Sequence, residues 1–267
     1  MSYAKRFFSL VSVMHSIASE YGRGSRAILW LKMILIVLQA RLPRLLRTPR
    51  TLHLAFEGKS FDLWITDRTG LAAFEEIFIR KEYKVTHIDS PRSIVDAGAN
   101  IGVASVYFCL TYPWARLYAI EPDPEVCKTL KKNLAPFALA SVHQCALSDV
   151  DGQVDLHVHP TSSIASSLYA RVPGEKILSV PSRKLETFMQ EKGIATIDLL
   201  KFDIEGAEDR LLKSISDLKK VRTYVGEIHP DLMQSSLEEI KSLFKGFSVT
   251  LDPIGSKRFV LTASQVA

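Results

Sequence analysis

A chain of 267 residues, 47% hydrophobic and 24% charged, can bury a large core, which excludes disordered and fibrous classes. Its net charge of +5 is unevenly placed: residues 1–50 carry nine lysines and arginines against one acid, Glu20, so the remainder is net acidic. Cys109, Cys127 and Cys145 stand far apart with no C-x-x-C pair, which argues against a disulfide framework or zinc knuckle and fits a reducing, cytoplasmic setting.

Phe7, Leu10, Val11, Met14 and Ile17 recur at helical spacing and predict a short amphipathic helix over 3–18. A second helix, 27–40, is apolar on nearly every face except at Lys32, and Arg41, Arg44, Arg47 and Arg50 follow it. That run is shorter than the roughly 20 residues a bilayer span needs, and a signal peptide would begin nearer Met1. Residues 1–50 therefore read as a basic, apolar helical extension. It is consistent with peripheral contact with an anionic membrane at its inner face; packing on the main domain or a second subunit is the alternative. Aromatic residues do not interleave with the arginines, so nucleic acid is not an expected partner.

Residues 51–267 read as the main domain, with 51–90 as a cover and 91–267 as its core. Strands 51–56 and 60–65 flank Glu57-Gly58-Lys59 as a hairpin, and a helix over 71–79 joins it in covering one end of the sheet. Ser93 to Gly102 reads as a buried strand, a glycine turn and a helix start. A strand over 116–120, a helix through Val126, Leu130 and Leu134, and a third strand over 142–147 follow. The rhythm then breaks into an extra strand 153–159, a loop 161–173 and an extended segment 177–181. Alternation resumes with helix 185–190, strand 197–203, helix 207–215, strand 222–228, helix 232–244 and closing strands 247–251 and 258–261. These units predict an α/β, Rossmann-like architecture: a mainly parallel seven-stranded sheet, helices on both faces and an antiparallel edge hairpin.

The turn after the first core strand, Asp96-Ala97-Gly98-Ala99-Asn100-Ile101-Gly102, makes a nucleotide-sized site at the sheet's carboxyl edge. Asn100 stands where a pyrophosphate-binding turn needs its second glycine, and Asp96 would repel phosphates. A carboxylate there suits a phosphate-free cation such as S-adenosylmethionine. Glu121, 23 residues beyond Gly98, is placed to accept from both ribose hydroxyls. Leu147 is placed to pack on adenine and Asp149 to accept from its amine, although Asp149 also suits a turn. Asp203 and Glu227 end later strands at the same edge, and His229 beside them is a candidate general base. The same carboxylates with His229 could instead hold a divalent cation; no metal is assigned. Lys201 reads as a partner for a carboxylate, and Glu208 as a favourable charge in the first turn of a helix. The loop over 161–173 is the expected acceptor-facing segment.

Together, Val95-to-Ser105 (VDAGANIGVAS), AIEPDP with Asn133 downstream, ALSDVDG, KFDIEGAE and the Glu227-Ile228-His229 triplet resemble the FkbM family of S-adenosylmethionine-dependent methyltransferases over roughly residues 75–230. The resemblance implies S-adenosylmethionine bound by Asp96, Gly98, Asn100, Gly102 and Glu121, Asp203 near its methyl group, and a hydroxyl acceptor on a small molecule, sugar or glycolipid. Phe202 replaces the small aliphatic residue usual between the lysine and aspartate, and residues 1–50 lie outside the match. An NAD-dependent oxidoreductase and a nonenzymatic membrane-associated adaptor are the competing readings.

Overall fold

The computed structural model describes residues 11–38, 50–85, 88, 90–159, 166–169, 173–254 and 257–266. The first half of the predicted helix over 3–18, the end of the helix over 27–40 and most of the loop over 161–173 lie outside these residues. Residues 11–16 are helical and continue into a wide turn, Ile17–Tyr21, before helix α1 (Arg26–Leu38).

Strands β1 (Arg50–Phe56) and β2 (Lys59–Ile65) form the expected hairpin. Its tight turn holds Glu57 at φ 46° and Gly58 at φ 78°, the paired left-handed residues that match strand twist. Helix α2 (Arg68–Phe74) is capped by Asp67, which accepts from the Thr69 and Gly70 amides. It runs into a π-helical turn, Glu75–Ile79, rather than a regular helix.

The central sheet is built from β3 (Ser93–Ala97), β4 (Arg116–Ile120), β5 (Ala140–His143), β9 (Ile197–Phe202), β10 (Val221–Ile228), β11 (Phe247–Ile254) and β12 (Arg258–Gln265). Its order is β11-β12-β10-β9-β3-β4-β5. The pairs from β5 to β10 are parallel; β12 alone is antiparallel to its neighbours and sits inside β11, so the closing hairpin reaches the edge through its first strand. Strand order reverses between β3 and β9, which opens a crevice at their carboxyl ends.

The predicted third strand, 142–147, is split. Ala140–His143 stays in the central sheet, while β6 (Ala146–Leu147) pairs with β8 (Lys176–Arg183) in a side sheet completed by β7 (Gly152–Val158). The predicted helix over 232–244 shortens to Leu237–Leu243 because Ser236 and Glu239 form a reciprocal capping box.

Alternation along the strands fills two cores. Ile94, Leu199 and Val225 face one side, under α3 (Val103–Thr111), α4 (Pro124–Leu134) and the hairpin layer. Val95, Leu200 and Tyr224 face the other, under α5 (Leu185–Lys192), α6 (Glu208–Ser214) and α7 (Leu237–Leu243). The hairpin and α2 pack on α3 and α4 within this layer, and α2 with the turn after it also covers the carboxyl end of the sheet, as expected. Phe74 and Phe78 stack at 4.4 Å within this layer, and Tyr21 donates to the Phe78 carbonyl at 2.9 Å, so the N-terminal segment shares the same core.

Candidate functional site

The glycine turn after β3 is fixed by backbone proximity. A Cβ on Gly98 would lie 1.9 Å from the Asp203 carbonyl oxygen, and Gly98 adopts φ +70°, so only glycine lets the β3 loop pass the end of β9. The Gly98 and Ala99 amides donate to the Ile120 carbonyl at 3.0 and 2.9 Å. Asn100 holds a left-handed φ of 51°; its amide donates to Glu121 Oε2 at 2.9 Å, and its own Oδ1 accepts from the Ile101 amide at 2.6 Å. Glu121 Oε1 accepts from the Asp123 amide at 2.9 Å. Burial raises Glu121 to a pKa of about 7, against the lowering effect of those amides, and Glu121 faces a cleft.

That cleft, about 1060 Å³ with its open mouth, occupies the β3–β9 crevice. Gly98, Asn100, Glu121, Leu147, Asp203 and Glu227 line it, so six of the residues singled out from sequence converge. Four others lie outside its lining. Asp96 is fully buried behind the turn, accepting from Ser105 Oγ at 2.6 Å and ion-pairing with Lys201 Nζ at 3.0 Å. Gly102 starts α3 at φ 91°, against Leu130. Asp149 pairs with Arg210 at 2.6 Å in a separate shallow cleft, because β6 turns into the side sheet. His229 is buried beyond the lining.

At the β9–β10 end, the Tyr83 hydroxyl lies 3.3 Å from Asp203 Oδ2 and 3.4 Å from Glu227 Oε1, placed to donate to either. Burial, reinforced by the charges of Asp203 and Glu227, holds the phenol well above its usual pKa and keeps it a neutral donor. Arg258, at the start of β12, donates to Glu227 Oε2 at 2.9 Å and approaches Glu76 at 3.7 Å. Burial and the charge of Asp203 raise the Glu227 carboxyl despite Arg258. Burial and Glu82 raise Glu76 to about 7.

Behind this wall, His229 Nδ1 meets Glu208 Oε1 at 3.0 Å, while Nε2 lies 3.6 Å from Glu227 and 3.9 Å from Glu205. Glu208 is fully buried and also accepts from the Gly206 amide at 3.0 Å, so it braces this turn and His229 in addition to starting α6. Asp203, Glu227 and His229 offer ligand atoms within 4.8 Å of one another, a spacing a divalent cation could bridge; the neighbouring Arg258 already supplies a positive charge. Burial opposes protonation of His229, but the Glu208 hydrogen bond and the charges of Glu208, Asp203 and Glu205 outweigh it and raise the pKa to about 9.

The raised value carries a stability prediction. The folded state holds this proton more tightly than an unfolded histidine at 6.5, so the stabilisation is complete below about pH 6.5 and fades as pH rises through about 9. Thermal melts across that interval are expected to show a falling Tm, with the slope reduced in His229→Gln. An equal slope in the two proteins would assign it to other groups.

Tyr83, Glu76 and Arg258 were not legible as site residues. Each comes from the cover or the closing hairpin, distant in sequence from the motifs; the one available signal was a pair of acids, Glu75 and Glu76, within an otherwise apolar helix. Of the predicted acceptor loop, Ser166 and Leu168 line the cleft, and Ser167 Oγ donates to the Glu205 carbonyl at 2.6 Å.

A parallel sheet wound in both directions from β3, with an acid-lined cleft at the reversal, is an α/β architecture of the kind that holds ligands at the carboxyl edge of its strands. Residues 96–249, more than half of the chain, match the Methyltransferase FkbM domain, and the chain belongs to that family of methyltransferases. Methyltransferase sdnD of Sordaria araneosa is 32% identical over 214 residues, covering 67% of this chain and 82% of the relative. The 31-O-demethyl-FK506 methyltransferase FkbM of Streptomyces tacrolimicus is 28% identical over 213 residues, 67% of this chain and 81% of its own. The 2-O-methyltransferase NoeI of Sinorhizobium fredii is 27% identical over 136 residues, 45% of this chain and 55% of its own.

Proposed function

We propose that this protein transfers a methyl group from S-adenosylmethionine to a hydroxyl oxygen of a small molecule, sugar or glycolipid. The observation that carries this reading is that Glu121, Asp203 and Glu227 line one cleft, with Asp203 two strand positions and Glu227 three strand positions from Glu121 in the sheet. At 4.7–4.9 Å per strand this separates Glu121 from Asp203 by roughly 10 Å and from Glu227 by roughly 14 Å, room for a nucleoside at one end and a reacting centre at the other. The only cations lining the cleft among the described residues, Lys201 and Arg258, are already paired with carboxylates, which suits a cationic ligand better than a pyrophosphate. Two relatives carry O-methylation in their names, which supports oxygen as the acceptor atom.

Glu121 has acceptor capacity left for ribose hydroxyls, the turn from Gly98 to Asn100 offers its backbone, and Leu147 offers an apolar surface for adenine. When bound, S-adenosylmethionine supplies a methyl group already activated as a sulfonium. The chain's task is then alignment of the acceptor oxygen and removal of its proton. Glu227 lies on the cleft wall and takes that proton; His229, held by Glu208 behind it, positions Glu227. The role expected for His229 as the base moves to Glu227 because the imidazole stands outside the cleft lining. The three buried free thiols suit a reducing compartment.

Calorimetry with S-adenosylhomocysteine and with NADH tests the cofactor. Binding of the former is expected, weakened about tenfold or more by Glu121→Gln, because that change removes a charged acceptor. Binding of NADH alone would replace this reading with an oxidoreductase. Incubation with methyl-labelled cofactor and host extracts, followed by mass spectrometry, then identifies the acceptor.

A further inference from the structure

Helix α1 is apolar on two opposite faces. Leu29, Met33 and Ile36 are buried in the core beneath it. Half a turn away, Ile28, Leu31, Ile34 and Leu38 are 57%, 56%, 43% and 42% exposed, spaced by three and four residues as one continuous stripe. Exposed Ala27 extends it, and no polar residue interrupts it. Lys32, the one charge in the helix after its first residue Arg26, donates its Nζ to the Thr51 carbonyl at 2.8 Å and so serves the attachment of α1 to the hairpin. Isolated exposed leucines are ordinary; an uninterrupted stripe along a whole helix marks an interaction surface.

The surroundings choose the occupant. Arg23 and Arg26 are exposed at the start of α1, and Arg41, Arg44 and Arg47 follow it in sequence, within a segment holding nine basic residues and one acid. A second copy docked here would set two such segments against each other. An anionic bilayer surface supplies both the apolar phase and the opposite charge. At 1.5 Å per residue, the 13 residues of α1 extend about 20 Å, short of a roughly 30 Å hydrocarbon core, so the helix lies in the interface. Among the described residues no helix is long and apolar enough to cross a membrane.

We propose that the outward stripe Ile28, Leu31, Ile34 and Leu38, with Arg23 and Arg26, docks this protein on anionic lipid surfaces. The inference is independent of the methyl acceptor. Flotation of the full chain with phosphatidylcholine vesicles, with and without phosphatidylglycerol, tests it. Binding is expected on the anionic vesicles, decreasing as salt screens the arginines. Leu31→Ser/Ile34→Ser is expected to lower the partition coefficient about tenfold or more, and Arg23→Glu/Arg26→Glu to lower it on anionic vesicles. Circular dichroism and Tm of the serine variant report whether the fold is intact. Absence of vesicle binding by the unmodified chain, or equal binding by the folded serine variant, would overturn the proposal. A dimer in sedimentation velocity that the serine variant dissolves, without vesicle binding, would assign the stripe to a second copy instead.

Discussion

Replacing Glu227 by glutamine is expected to lower kcat for methyl transfer by about two to four orders of magnitude while changing S-adenosylhomocysteine affinity by less than about threefold. Glutamine preserves the size of the side chain and an oxygen for Arg258, but it cannot take a proton from the acceptor. Glu227 suits that task because burial and the charge of Asp203 raise its pKa, while Tyr83 and Arg258 fix its two oxygens. The rising limb of the kcat–pH profile should vanish with it. Single-turnover measurements separate the chemical step from binding and release; a chemical rate within about tenfold of the original would move the base elsewhere, with Asp203 as the next residue to test.

Lys201→Met is expected to destabilise the fold by about 3–5 kcal/mol, which for a chain of this size is a drop of roughly 10 °C in Tm. Lys201 and Asp96 are 3% and 0% exposed, and their ion pair lies at 3.0 Å in the centre of the sheet. Burial works against the ammonium, but Asp96 and Asp203 outweigh it and keep Lys201 charged. Removing the lysine strands a buried carboxylate, and it also deletes the hydrogen bond to the Gly98 carbonyl at 2.9 Å that anchors the glycine turn. The double variant Asp96→Asn/Lys201→Met should recover part of the loss, because it removes the uncompensated charge. Equal Tm values for the single and double variants would place the loss in the Gly98 contact instead.

The order of the core elements was legible because the sequence alternates the two periods that strands and helices require. Apolar runs such as Ser93–Ala97, with Ile94 and Val95 at its centre, and the largely apolar Ile197–Phe202 announce strands covered on both faces, and all six residues of the latter are buried. Pairing was less legible. The run from Val142 to Leu147 reads as one strand, yet its two ends join different sheets, because each end takes the partner that the folded chain brings beside it. The start of α7 was not legible either: the apolar spacing upstream suggests a helix from 232, whereas the reciprocal cap of Ser236 and Glu239 sets the start at Leu237.

The site divides along the same line. Local chemistry marked the glycine turn, Glu121, Asp203 and Glu227, since each ends a strand and strand ends in a parallel sheet meet at one edge. The pairing of Lys201 with a carboxylate also followed from sequence. Which strand-end groups face the cleft did not: Asp96 turns inward to Lys201, Asp149 leaves with the side sheet, and His229 retreats behind Glu227. Tyr83, Glu76 and Arg258 arrive from the cover and the closing hairpin. By itself the sequence determined the sheet, its carboxyl edge and the acids that end its strands, because those depend on residues near one another in the chain. Only the tertiary structure decided which of those acids face a ligand and which neutralise a buried partner, because burial and pairing are set by contacts between segments far apart in sequence.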